Sequence, residues 1–196
     1  MEFHGLMEKS RGHIFDRWFD AAIKSYPQDT ARIFLKSGNR FDNPVGSATK
    51  QSLQDTLDLI FGSLSHAPSP PVIDGMAVER ALDPVIRIRA VQGFLPSRAV
   101  GFVFELKDIV KSLLDHPQGR SLGMGLNEEF SGDIFAESEF FFTIVDQVAL
   151  AAFDRFMKCR EDIFLLRANE SKRRIHRAFE RAGLVTELVE EGLPGS

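Results

Sequence analysis

The chain has 196 residues and a formal net charge of −4. An apolar share of 43% beside 27% charged residues fits a single soluble globular domain and excludes wholesale disorder. The negative balance argues against a protein devoted to nucleic acid, and no window nears the roughly 18 uninterrupted apolar residues of a membrane span.

Eighteen Phe stand against one Trp and one Tyr, which suits core filling between helices, since a Phe ring needs no hydrogen-bond partner. Cys159 is the sole cysteine, so an intramolecular disulfide and a cysteine metal cluster within one chain are both excluded. The opening MEFHGLMEKSRGH lacks the charged-then-apolar layout of a signal peptide. The expected location is cytoplasmic.

Helical periodicity runs through the chain. Ile14, Phe15, Trp18, Phe19, Ala22 and Tyr26 recur at one-face spacing until Pro27 stops the helix. Asp29 or Thr30 starts a short second helix holding Ile33, Phe34 and Leu35, ended by Gly38. Asn43-Pro44 marks a turn before a longer helix whose buried stripe is Leu53, Leu57, Ile60, Phe61 and Leu64. The connection His66–Gly75 holds three prolines, which cannot continue a helix. A short helical piece, Met76–Leu82, follows.

Asp83-Pro84 reads as a fresh helix start, with Asp as cap and Pro at the first helical position, running to about Gln92. Pro96-Ser97 restarts the chain with Ser97 as cap. The next helix carries Val100, Val103, Phe104, Ile109 and Leu113, and ends at Pro117 and Gly119. The Gly-rich stretch 119–133 is the candidate for local mobility. From Ile134 no Pro or Gly interrupts the pattern until Gly183, a span of roughly 70 Å if unbroken. Either that helix breaks, or its basic half beyond Cys159 projects and finds a partner. No strand-type alternation and no internal repeat is present. The reading is all-α, one domain over 1–196, with 159–182 as a projecting signalling or dimerisation helix.

Three segments carry a resemblance: SYPQDTARIFLKSGNRFDNPVG (Ser25 to Gly46), VIRIRAVQ (Val85 to Gln92) and FLPSRAVGFVFELKDIV (Phe94 to Val110). Together with the N-terminal amphipathic helix and the later REDIFLLRANESKRR, they resemble the N-terminal domain of the RsbRD group. These are RsbR-like co-antagonists of bacterial stress-signalling assemblies, the stressosomes. The resemblance implies a globin-like helical bundle without haem, a homodimer and a non-enzymatic sensory role. Such domains are followed by a phosphorylatable STAS domain in RsbR-type proteins. The expectation here is a stand-alone input domain, partnered by STAS-type signalling proteins or by subunits of a respiratory redox complex.

Candidate sites are few. A globin-like fold raises the question of haem, whose iron takes an axial ligand inside an apolar pocket; His116, ending an apolar helix, is the histidine to test. His4, His13, His66 and His176 are placed less favourably, and no cofactor or metal is expected. Arg87, Arg89 and Gln92 lie in an otherwise apolar helix; Arg87 and Arg89, two residues apart, do not share a face, which leaves room for one to point inward. A guanidinium there either binds a carboxylate ligand bidentately, forms a structural ion pair with Asp or Glu of a neighbouring helix, or is simply exposed.

From Arg155 to Arg181 nine basic residues face four acidic ones. Within that stretch Lys172, Arg173, Arg174 and Arg177 are candidates for docking phosphates or an acidic partner. The competing reading is a solvated face, or a dimer seam through Ile163, Leu166, Ile175 and Phe179. Cys159, between Lys158 and Arg160, is either a redox-sensing thiol or an inert buried one. Glu128-Glu129 is an adjacent pair that points different ways on a helix, and no serine sits in a nucleophile elbow. Neither a catalytic residue nor nucleic-acid or membrane binding is expected.

Overall fold

The computed structural model describes residues 3–26, 31–32, 43–65, 72–114 and 134–182. All regular structure among the described residues is helical, with no strand, consistent with the expected globin-like bundle and its long C-terminal helix. Of the short helix assigned to Asp29–Gly38 only Ala31 and Arg32 are described, both helical, and the stretch 119–133 lies outside the described residues. The chain divides into two units, Met1–Cys159 and Arg160–Ser196.

In the first unit, α1 (Phe3–Lys24) begins well before Ile14, because Phe3, Leu6, Met7 and Ser10 continue its buried face. Trp18 is fully buried, donates from Nε1 to the Phe102 carbonyl at 2.8 Å, and stacks on the Phe102 ring. Burial of so large a ring is favourable only because its one N–H finds an acceptor. α2 (Pro44–Ser65) starts at Asn43, whose Oδ1 accepts the Gly46 N–H at 2.9 Å. Pro44 at the first helical position loses nothing, since that N–H would be unbonded anyway. A Cβ at Gly46 would collide with the Asn43 amide, so a larger residue there would displace that cap. Leu53, Leu57, Ile60 and Phe61 form the expected stripe, with Leu64 only half-buried.

α3 (Gly75–Val91) departs from the sequence reading. Asp74 caps it, accepting from the Met76 and Ala77 N–H groups at 2.9 and 3.1 Å, and Pro84 lies inside. Met76–Leu82 and Asp83–Gln92 are therefore one helix, not two. Pro84 forgoes one backbone bond, but Val78, Leu82, Val85 and Ile86 bury a continuous face across it. Asp83, instead of capping, reaches sideways to Arg155 and along the helix to Arg87.

The helix stops at Gln92-Gly93. Gly93 takes φ +75, the Gly93 N–H bonds the Ala90 carbonyl and the Phe94 N–H bonds the Arg89 carbonyl. That pattern is a Schellman stop, for which only a residue without Cβ is comfortable. α4 (Pro96–Val100) then begins after Leu95 with Pro96 at its first turn; Ser97 lies inside and makes no cap. A 3-10 turn (Gly101–Val103) and α5 (Glu105–Leu114) complete the corner. Val100, Phe102 and Val103 are buried, whereas Phe104 remains 46% exposed.

α6 (Ile134–Arg181) is a single helix of 48 residues. Within the first unit it buries Ile134, Ser138, Phe141, Val145, Val148 and Ala152, then Phe156 and Cys159. Their spacing of three and four is the stripe of a helix with one face in a core. Polar contacts fix its register: Phe3 N–H to Glu137, Ile73 N–H to Gln147, Lys107 to Asp146, and Lys158 to Glu79. Glu79 and Asp83 are one turn apart on α3 and meet Lys158 and Arg155, so the two helices run antiparallel there.

In the second unit, Arg160 to Ala182 is exposed almost throughout, with only Ile163 and Ala168 partly covered.

Candidate functional site

The structure separates the three residues of the α3 candidate site. Arg87 is exposed and pairs with Asp83 at 3.2 Å, and Gln92 is an exposed helix-terminal residue. Arg89 is fully buried. One helical register explains the difference: Leu82, Val85 and Ile86 precede Arg89 by seven, four and three residues, so it shares their buried face.

No carboxylate pairs with Arg89 among the described residues. Its Nη2 donates to the Ala22 carbonyl at 3.0 Å, and its Nη1 to the Ala99 and Arg98 carbonyls at 3.0 and 3.3 Å. These carbonyls belong to the last turns of α1 and α4, whose backbone acceptors have no partners within their own helices. The last turn is also the negative end of a helix dipole, so two helix ends supply the charge complement that a carboxylate would. Three rings surround the guanidinium: Phe102 at 4.2 Å, Tyr26 at 5.2 Å and Phe94 at 5.5 Å, each contributing its negative face.

Burial lowers the Arg89 pKa from its ordinary value, opposed by the neighbouring Tyr26 phenol. Burial likewise raises Tyr26, against the lowering pull of Arg89. Arg89 is thus a clamp on backbone, an arrangement outside both the ligand and the ion-pair readings of the sequence. The apolar phase of Leu82, Val85 and Ile86 was the signal for its burial, but nothing local to it named Ala22 as an acceptor.

The basic stretch also divides. Arg155 and Lys158 are engaged by Asp83 and Glu79 within the first unit. Lys172, Arg173, Arg174 and Arg177 are all exposed in the second; Arg177 Nε donates to the Arg173 carbonyl at 3.3 Å. The expected seam of Ile163, Leu166, Ile175 and Phe179 does not form one stripe. Leu166 and Ile175 are nine residues apart, about two and a half turns of an unbroken helix, so they face opposite ways.

Cys159 is buried, the environment of an inert rather than a reactive thiol. His116 and the Glu128-Glu129 pair lie outside the described residues. Among the described residues no cluster of three or more His, Cys, Asp or Glu could hold a metal ion, and no helix is long and apolar enough to cross a membrane.

One feature of the first unit had no sequence signal. An open groove of about 920 Å³ runs between α4 and α6, lined by Leu95, Val100, Phe104, Leu150 and Phe153. Leu95 and Leu150 are each 66% exposed, and Met157, at 46%, continues the same side of α6. This is an exposed apolar patch on a flank of α6 beside its buried stripe. It can bury against another protein surface; the lining residues offer no nucleophile paired with a base.

Comparison with curated proteins and with solved structures returns no match. The family model described as the RsbT co-antagonist protein rsbRD N-terminal domain matches residues 12–171, from the middle of α1 to just before Lys172. That match covers most of the chain, and the protein belongs to the RsbRD N-terminal domain family.

Proposed function

We propose that this chain is a non-enzymatic input module of a bacterial stress- or redox-response system, acting as a homodimer in the cytoplasm through contacts with other proteins. The observation that carries this reading is the apolar groove between α4 and α6. A monomer gains nothing from Leu150, Phe153 and Met157 in water, whereas a second copy laid across the groove would cover them. Family membership supports the signalling role. The signal acts by shifting helix packing around the α4 corner, and the uninterrupted α6 transmits the shift.

Two measurements test this. Sedimentation equilibrium should give a dimer that Phe153→Glu converts to a helical monomer; a wild-type chain that stays monomeric at tens of micromolar defeats the dimer. Crosslinked affinity capture from native cells should recover STAS-domain proteins or their kinase, and Ala168→Pro, which kinks α6, should abolish that capture. Recovery of respiratory redox-complex subunits instead would make the chain an accessory of that machinery. Recovery of neither would sink the input-module reading.

A further inference from the structure

In the second unit, Phe164, Ala168, Ile175 and Phe179 follow one another at intervals of four, seven and four residues, which puts them on one side of the helix. Phe164 is 70% exposed, Ile175 56% and Phe179 49%. Along one flank of this stripe, Arg160, Arg167, Arg174 and Arg181 recur at every seventh residue, all exposed. A seven-residue repeat keeps close to one side of a helix, drifting by only about 20° per heptad. No carboxylate pairs with Arg167, Arg174 or Arg181 among the described residues. Glu170 lies three residues from Arg167 and four from Arg174, but forms no ion pair with either.

We propose that Arg160–Ala182 is a docking face for an acidic amphipathic helix of a partner protein, its apolar side seated on Phe164, Ile175 and Phe179 and its carboxylates aligned with the arginine column. Charge decides the occupant. A second copy paired antiparallel sets the arginine column against itself. Paired in parallel, it sets the column against the opposite flank, where Glu161 and Glu180 are scattered among Leu165, Lys172 and His176, and Glu180 already pairs with His176. Neither arrangement supplies a run of negative charges, whereas a helix with Glu or Asp at heptad spacing does. This inference names a partner class for the input module and rests on that reading only in taking protein contact as the mode of action.

The test uses the full chain and two labelled synthetic helices of about four heptads, both with Leu on the apolar side. One carries Glu along the facing flank and the other Lys. Fluorescence anisotropy should show the Glu helix binding about tenfold or more tightly than the Lys helix, and weakening as salt rises. The combined Arg167→Glu, Arg174→Glu and Arg181→Glu chain should reverse the preference. Phe164→Ser with Phe179→Ser should weaken binding without reversing it.

Equal binding of the two helices, or a charge-reversed chain that keeps the wild-type preference, overturns the proposal. So does an oligonucleotide that binds as tightly as the Glu helix and ignores Phe164→Ser, which would make the face a phosphate surface. Self-association that Phe164→Ser abolishes would assign the face to a second copy. A rise in Glu-helix affinity of about tenfold on replacing Glu187, Glu190 and Glu191 by Gln would assign it to the chain's own C-terminal segment. Failure here, with the crosslinking result intact, removes this face and leaves the input-module reading standing.

Discussion

Phe156 and Phe164 lie eight residues apart on one helix and meet opposite fates. Phe156 is fully buried, and Phe164 is 70% exposed. The cations follow the same division: Arg155 and Lys158 meet Asp83 and Glu79, whereas Arg167, Arg174 and Arg181 meet no carboxylate among the described residues. Helix propensity and freedom from Gly and Pro carry α6 through both parts without interruption. Burial is a tertiary property and ends at Cys159. Before that point one face of the helix is chosen by the core; after it no face is, and the side chains are free to answer to something outside the chain.

Truncating the two phenylalanines should separate the two parts of the helix most strongly. Phe156→Ala should cost about 3–5 kcal/mol, and Phe164→Ala should stay within about 0.5 kcal/mol. Urea unfolding followed by circular dichroism reads both, and similar losses would refute the division. Arginines extend the test. Arg89→Ala strands helix-end carbonyls in the core and should cost about 3 kcal/mol, from lost charge-assisted hydrogen bonds. Arg174→Ala, by the same measurement, should leave the urea midpoint in place. A smaller effect is expected at Asp83, which is partly exposed: Asp83→Asn should cost about 1 kcal/mol, while Glu180→Gln, whose pair with His176 is open to water, should cost nothing measurable.

The smallest expected effect is alkaline. Tyr26 has a raised pKa in the folded chain, so its contribution is intact below the ordinary value of 10.0 and is lost as pH rises through the folded value. Arg89, whose pKa burial lowers from its ordinary value, acts with the opposite sign. The wild type should therefore begin to lose stability above about pH 10, and Tyr26→Phe should lose less over that window. Parallel pH profiles for the two proteins would remove Tyr26 from the linkage.

Much of this architecture was legible residue by residue. The stripe from Leu53 to Phe61, the stop at Gln92-Gly93 and the unbroken run from Ile134 follow from periodicity and from the positions of Gly and Pro. Pro84 misled because a proline compatible with a helix start was also compatible with a buried face that crosses it. Ser97 misled because Pro96 already occupied the first turn. The seam through Ile163 and Phe179 failed on phase: Leu166 and Ile175 are both apolar but sit on opposite sides of the helix. Arg89 exposes a deeper limit. Its acceptor at Ala22 is 67 residues away in the chain and is a backbone carbonyl, which no residue identity announces.

The clamp at Arg89 has a consequence for how the corner moves. Two helix ends converge on one desolvated charge carried by a third helix, and the guanidinium cannot release one carbonyl and keep its balance with the rest. A small separation of α1 from α4 would leave a cation facing a dry gap too narrow for solvent, the costliest arrangement available to it. Partial openings are therefore penalised more heavily than complete ones. The corner either stays shut or opens far enough for water to surround the arginine, so fluctuations there occur as discrete excursions rather than as a gradual loosening.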